Sequence, residues 1–408
     1  MPKSNINLPL YPKYSFLILS LPFITFILIT RLAFNPFVDE HLFHLPTIRA
    51  FASSFPFFNL KDYPSASGPL PYILWTIFGK IFGFEIWNLR LLTAILSYLC
   101  SLIFFTTCRE QKRSFPLLMT LVLIFSPYIF LHSFTIYTSN LTLLWELFSL
   151  RYFLKYQESK SNFDLLLGSV GSLALVFSRQ LDIALPAGVL FYFLMEKSRR
   201  KPLSLLSGVV PIAGLLLLMI YWNGITPPRF QTGFLPVLKP VHLTLILTVV
   251  GFYFQPFGLY ECKKLKSRAA IILLLLPLLL YLSVPYPKEG LGIVYYGIDW
   301  LASKWYKDLS WMLPLYLGML GGLVFYSLVR QIRSQGGSSL PFYVLLFYVF
   351  LNFLNPFVYE RHYYFAWPLI LLLLPKDLSE NRFLLISVLM VHLGISIFYA
   401  KLSLVFPK

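Results

Sequence analysis

Apolar runs of membrane-spanning length recur from end to end of this chain, and no segment between them is long enough for a soluble domain. Hydrocarbon offers no partner for a backbone N–H or C=O, so each run must satisfy its own as a helix. The expected fold is an all-α polytopic membrane protein, a bundle of about 13 transmembrane helices. The spans are read as Tyr14–Ala33, Ile86–Thr107, Phe115–His132, Ile136–Leu154, Phe163–Ser178, Leu181–Met195, Leu203–Trp222, Val241–Tyr260, Ala269–Val284, Trp311–Val329, Leu340–Val358, Tyr363–Pro375 and Phe383–Ala400. No internal repeat divides them, so residues 1–408 are expected to form one integral membrane domain. Chemistry in such a chain is confined to short loops and to the spaces between helices.

Only 12% of the residues are charged, yet the net charge is +17. The basic clusters fall in alternate short loops, as the positive-inside rule requires, so the excess is assigned to topology and not to nucleic acid. Arg109-Lys112-Arg113, Lys155-Lys160, Lys197-Arg199-Arg200-Lys201, Lys263-Lys264-Lys266-Arg268, Arg330-Arg333 and Lys376-Arg382 are placed inside. Contact with anionic membrane lipids is a secondary role for them. Lys3 and Lys13 put the amino terminus on the cytoplasmic side, with the first span as a retained anchor. Cys100, Cys108 and Cys262 suit neither a zinc site nor a disulfide framework. No glycine-rich phosphate loop or G-x-G-x-x-G is present, so an activated sugar, if used, is expected to arrive on a lipid and not as a soluble nucleotide.

The longest outer segment is 34–85. Within it Phe43–Phe55 reads as a short amphipathic helix and Pro69–Phe84 as an in-plane helix. At its start stand Asp39 and Glu40. As a helix cap, an acidic residue here has a purely structural explanation. As a carboxylate beside a lipid-lined cavity, it is a general base able to activate a sugar hydroxyl. His41 and His44, at i and i+3, are expected to share a helix face and to hydrogen-bond substrate or the carboxylates; no set of metal ligands is evident.

Three further constellations belong to the same face. Arg179, Gln180 and Asp182 interrupt two apolar stretches, either as an ion-paired turn or as a phosphate clamp. Trp222-Asn223-Gly224 reads as turn chemistry or as part of a sugar site. Tyr359-Glu360-Arg361-His362-Tyr363-Tyr364 is too polar for an aromatic belt alone. In it Arg361 and His362 suit the phosphate of a lipid-linked donor, and Tyr363, Tyr364 and Trp367 a sugar or prenyl chain.

With these residues in view, the chain resembles the GT-C glycosyltransferases, and within them the alpha-1,2-glucosyltransferase family that adds the terminal glucose to the dolichol-linked oligosaccharide. Four ordered stretches carry the resemblance: Val38-Asp39-Glu40 with Phe43-His44-Leu45-Pro46, Val176-Phe177-Ser178-Arg179-Gln180, Trp222-Asn223-Gly224, and Arg361-His362-Tyr363-Tyr364-Phe365 with Trp367. It departs from the family where His41 and Leu42 interrupt the first motif, where Glu360 replaces Asn, and after Gly224. The resemblance implies a GT-C-like bundle and an inverting enzyme needing no cofactor. Such an enzyme moves a hexose, glucose in that family, from a polyprenyl (dolichyl-type) phosphate to a lipid-linked oligosaccharide.

Asp39 and Glu40 would be catalytic, Asp39 as base and Glu40 orienting it or the acceptor. Arg361, His362 and Arg179 would bind the donor phosphate; His44, Gln180, Trp222, Asn223, Tyr363 and Trp367 would bind substrate. A bacterial relative using an undecaprenyl-phosphate sugar on a cell-envelope glycan is the alternative. The membrane would be the endoplasmic reticulum in a eukaryote and the cytoplasmic membrane in a bacterium, with the active face lumenal or periplasmic. A lipid-glycan flippase and a non-catalytic assembly subunit are the competing classes; neither accounts for four ordered motifs.

Overall fold

The computed structural model describes residues 12–35, 37–196, 202–233, 237–263, 309–334 and 339–405, with isolated residues between 278 and 297. Among these residues the structure is helical, with no strand. The α-helices are α1 (Pro12–Thr30), α2 (Leu45–Ser53), α3 (Leu70–Phe82), α4 (Ile86–Glu110), α5 (Pro116–Ile124), α6 (Pro127–His132), α7 (Thr138–Ser159), α8 (Asn162–Ser178) and α9 (Ala184–Met195). They continue as α10 (Pro202–Trp222), α11 (Val241–Tyr253), α12 (Gln255–Cys262), α13 (Leu309–Ser334), α14 (Leu340–Asn352), α15 (Ala366–Leu373), α16 (Lys376–Ser379) and α17 (Arg382–Val405).

Four of them, Ile86–Glu110, Pro202–Trp222, Trp311–Ser334 and Arg382–Lys401, are each long and apolar enough to cross a membrane, and α11 with α12 passes as a pair. Tyr14–Thr30, Leu70–Phe82, Asn162–Ser178, Gln180–Met195 and Leu340–Asn352 are shorter apolar helices. The all-helical, polytopic expectation therefore holds. Its details change where proline intervenes. The run read as Phe115–His132 is two helices, broken at Ser126 because Pro127 starts a new one. The run read as Val241–Tyr260 bends by 89° at Phe254, just before Pro256. Within Tyr363–Pro375 only α15 is an α-helix, about 12 Å long at 1.5 Å per residue, and it is buried along its whole length. The span Ala269–Val284 lies largely outside the described residues.

Packing follows two chains of neighbours. In one, α1 lies on α4, α4 on α7, α7 on α8, α8 on α10, α10 on α9, and α9 on α14. In the other, α11 and α12 lie on α13, while α17 crosses α5, α6 and α12. α15 is wedged between the two and touches α14, α13 and α5. Asn140, on α7, is a buried strut: its Nδ2 donates to Ser97 Oγ (2.7 Å), Ser133 Oγ (3.0 Å) and Ile129 O (3.1 Å).

The first connecting segment is fixed to this bundle by one arginine. Arg90, on α4, is 0% exposed. Its Nε donates to Glu40 Oε1 (3.0 Å) and its Nη2 to Glu40 Oε2 (2.7 Å). Nη1 donates to the carbonyls of Leu32 (2.9 Å) and Phe34 (2.8 Å), and Nη2 also to that of Asn35 (3.4 Å). Glu40 accepts in addition the N–H groups of Phe37 (2.8 Å) and Ile136 (2.7 Å). The end of α1, the start of α4 and the approach to α7 thus share one buried, hydrogen-bonded charge pair.

Candidate active site

Glu40–His44 forms a π-type turn that runs directly into α2, where Pro46 sits in the first turn. The wider turn separates the two histidines: His44 is buried, whereas His41 is exposed. Asp39 precedes the turn, faces away from Glu40's clamp, and reaches a cavity of about 630 Å³.

Four segments converge on that cavity. The turn brings Asp39, Phe43 and His44; the loop before α3 brings Ser65, Ala66 and Ser67; the start of α7 brings Tyr137, Thr138 and Ser139; and the break between α8 and α9 brings Arg179 and Gln180. Asn355, Tyr359, Arg361 and His362, between α14 and α15, close it. One wall is apolar, with Leu215, Leu216, Met219 and Ile225 from the end of α10 and the turn after it. The loop before α3 is pressed onto the end of α8. Gly68 N–H donates to Ser178 O (3.1 Å), and a Cβ on Gly68 would stand 2.0 Å from Phe177 O, so only glycine fits. Gln180 Nε2 ties the same loop by donating to Ala66 O (3.0 Å).

Asp39 Oδ2 accepts Arg361 Nη1 (2.8 Å) and the Tyr137 hydroxyl. Burial pushes the Asp39 carboxyl up, but the Arg361 charge, the hydrogen bonds from Tyr137 and Arg361, and a smaller contribution from His44 outweigh it and leave it below its ordinary value. Arg361 remains firmly cationic: burial works against its charge, and Tyr137 and Asp39 more than offset that. Arg179 stands over the Phe365 ring (4.8 Å) and makes no side-chain hydrogen bond among the described residues. Burial disfavours its cation too, but Asp182, together with Tyr348 and Tyr364, outweighs that and raises it above its ordinary value.

His44 and His362 are neutral. Burial pushes His44 down to about 4. Its Nδ1 is bound to Tyr72 Oη (2.8 Å), which in turn meets Ser65 Oγ (2.5 Å), and its Nε2 has no partner among the described residues. Burial likewise holds His362 well below its ordinary value. Asn355 sets the His362 tautomer. Because Asn355 Oδ1 accepts Phe357 N–H (3.0 Å), its Nδ2 must face His362 Nδ1 (2.7 Å), which leaves His362 Nε2 as the N–H donor.

The structure thus gathers Asp39, His44, Arg179, Gln180, Arg361 and His362 around one space. It does not bring the other named residues there. Glu40 is consumed by Arg90 and two backbone N–H groups. Trp222 is buried and donates Nε1 to Leu60 O (2.7 Å). Asn223 ends α10 with a left-handed φ of 57° and lines a separate shallow depression. Tyr363 is buried with its hydroxyl on His242 Nδ1, and Trp367 is buried with Nε1 on Ser126 Oγ (2.9 Å). Tyr137, Asn355 and Tyr359 join the cavity without having been singled out as site residues. Tyr137 lies inside a run read as a span, and no motif marks it. Among the described residues no three His, Cys, Asp or Glu side chains are grouped as metal ligands.

No curated protein matches the chain. Among solved structures, ArnT from Cupriavidus metallidurans in the apo state is similar at 13% identity, over 89% of this chain and 77% of that one, with a TM-score of 0.45. ArnT from the same organism bound to undecaprenyl phosphate gives 13%, 88%, 77% and 0.44. At those scores no residue role passes through the likeness. Residues 65–222 match the family model described as dolichyl-phosphate-mannose-protein mannosyltransferase, a stretch that supplies Ser65, Ser67, Tyr137, Arg179 and Gln180 to the cavity.

Proposed function

We propose that the protein is a glycosyltransferase of the GT-C kind, moving a hexose from a polyprenyl phosphate to a hydroxyl of a lipid-linked or cell-envelope glycan. The observation that carries this reading is the shared cavity, in which one ionised carboxylate, Asp39, faces two arginines and a neutral histidine donor beside an apolar wall. The partial match to a family named for a dolichyl-phosphate sugar supports it.

Asp39 takes the proton of the acceptor hydroxyl as the oxygen attacks the anomeric carbon. The bond from that carbon to the phosphate oxygen breaks, and its electron pair leaves on the polyprenyl phosphate. Arg179 and Arg361 stabilise the charge that develops there, with His362 beside them. Leu215, Leu216, Met219 and Ile225 suit the first prenyl units. Direct displacement inverts the anomeric centre, so a beta-linked donor gives an alpha product. His44 and Gln180 are placed to contact the sugars. Glucose, by resemblance, and mannose, by the partial family match, are the first donors to compare.

The test is a transfer assay on purified protein with short-chain polyprenyl-phosphate glucose, mannose and related sugars against a lipid-glycan extract. Transfer by the unmodified protein and none by Asp39→Asn supports the reading. Absence of transfer from every donor by folded protein overturns it in favour of a lipid-glycan transporter or an assembly subunit.

A further inference from the structure

Arg361 is assigned above to the donor phosphate, yet in the structure its Nη1 already donates to Asp39 Oδ2 (2.8 Å) and to Tyr137 Oη (2.5 Å). The Tyr137 hydroxyl donates onward to the same Asp39 oxygen. The three groups close a ring of hydrogen bonds. We propose that Tyr137 is a positioning residue that latches Arg361 onto Asp39, and that the donor phosphate opens the latch by taking Arg361, releasing the carboxylate as base only when a donor is bound. This inference rests on the proposed roles of Asp39 and Arg361.

The partners differ in freedom. The Tyr137 ring is stacked on His132 (4.2 Å between centroids, 2° between planes) and set edge-on to His44 (5.0 Å). Its backbone, just before α7, donates to Thr135 O (2.9 Å). The phenol is therefore a fixed point. Arg361 sits on a single 3-10 turn, its side chain 34% exposed, with only Nη1 hydrogen-bonded among the described residues. It lies between the Tyr359 ring (5.0 Å) and the Tyr137 ring (5.6 Å), a track along which a planar cation can swing.

A phosphate offers Arg361 more charge and more acceptor oxygens than one carboxylate oxygen does. Arg179, on the same cavity and without a competing hydrogen bond among the described residues, would anchor that phosphate first. A carboxylate that accepts both a guanidinium and a phenol is a weak proton acceptor; losing the guanidinium makes it a stronger one. The ionisable groups around Asp39 are Arg361, Tyr137 and His44, with Tyr72 and His132 behind them, and the latch involves the first two.

The experiment is binding of a short-chain polyprenyl phosphate, without sugar, to the purified full-length protein. The protein is compared with Asp39→Asn, Tyr137→Phe, Arg361→Gln and the double variant Asp39→Asn/Arg361→Gln. The latch predicts that Asp39→Asn binds roughly tenfold tighter and Tyr137→Phe roughly threefold tighter. Simple repulsion between carboxylate and phosphate would also tighten binding in Asp39→Asn, but that gain would survive in the Arg361→Gln background. The latch gain disappears there.

Equal tightening in both backgrounds, or none, overturns the latch. No binding by the unmodified protein or by any variant overturns the phosphate reading itself. Should Asp39→Asn fail to fold, Tyr137→Phe decides through turnover. Removing a hydrogen bond that lowers the Asp39 pKa moves the acid limb of kcat/KM to higher pH, and an unmoved limb overturns the role of Tyr137.

Discussion

Asp39 and Glu40 are neighbours in the chain, and each meets an arginine, but the two pairs end in opposite conditions. Glu40 and Arg90 are 0% exposed, and all five N–H groups of Arg90 find acceptors. Asp39 and Arg361 keep 24% and 34% of their side-chain surface, and one nitrogen of Arg361 does all the bonding among the described residues. A buried charge pair with every donor satisfied has no capacity left for a ligand, and its role is to fix geometry. A pair on a cavity wall with donors to spare can exchange partners. In this protein completeness of hydrogen bonding, more than charge or motif, separates scaffold from candidate chemistry.

Asp39→Asn has the largest expected effect. Turnover should fall about 10²- to 10⁴-fold, the range for losing a general base, while the thermal midpoint stays within a few degrees. Normal turnover would remove Asp39 from the chemistry. Next, Glu40→Gln or Arg90→Met should cost about 3–5 kcal/mol of stability, because each leaves a buried charge unpaired. Thermal unfolding in detergent measures this, and the specific activity of the protein that remains folded should be near normal. A stable but inactive Glu40→Gln would return Glu40 to the reaction and erase the contrast.

Arg179→Gln should raise the donor KM about 10- to 100-fold, the loss of a hydrogen bond to a charged group. Smallest is Tyr72→Phe, which frees His44 Nδ1 and should cost about 1 kcal/mol in acceptor binding. Because burial pushes His44 down to about 4, neither the unmodified protein nor this variant should show a His44 inflection between about pH 5 and 8. An inflection abolished by His44→Gln would contradict this.

Much of the helical layout was legible because a long apolar run has one stable solution in lipid. The polar residues at the ends of those runs were legible for a related reason: they are expensive where they stand, so Asp39, His44, Arg179, Gln180, Arg361 and His362 draw attention without any structure. What could not be read is pairing over distance. Nothing local to Asp39-Glu40 says which carboxylate Arg90 will take from fifty positions away. Trp222, Tyr363 and Trp367 look like binding aromatics, yet each indole or phenol is spent on a partner inside the protein. Tyr137 passes for one more aromatic in an apolar run until His132 and Arg361 are seen against it. The break at Ser126 and the bend at Phe254 hide inside runs whose hydropathy is continuous across them.

The Arg90–Glu40 clamp also sets an order of events during biosynthesis. Glu40 needs a guanidinium 50 residues ahead and a backbone N–H 96 residues ahead of it. At about 5–20 residues per second, the ribosome takes on the order of 5–20 s to deliver the second of these. Until then the first loop cannot hold its final shape, and Glu40 must remain hydrated or find a temporary partner outside the chain. The carboxylate next to it, Asp39, therefore reaches its place in the cavity as one of the later products of assembly, although it is made well before the residues that hold it there.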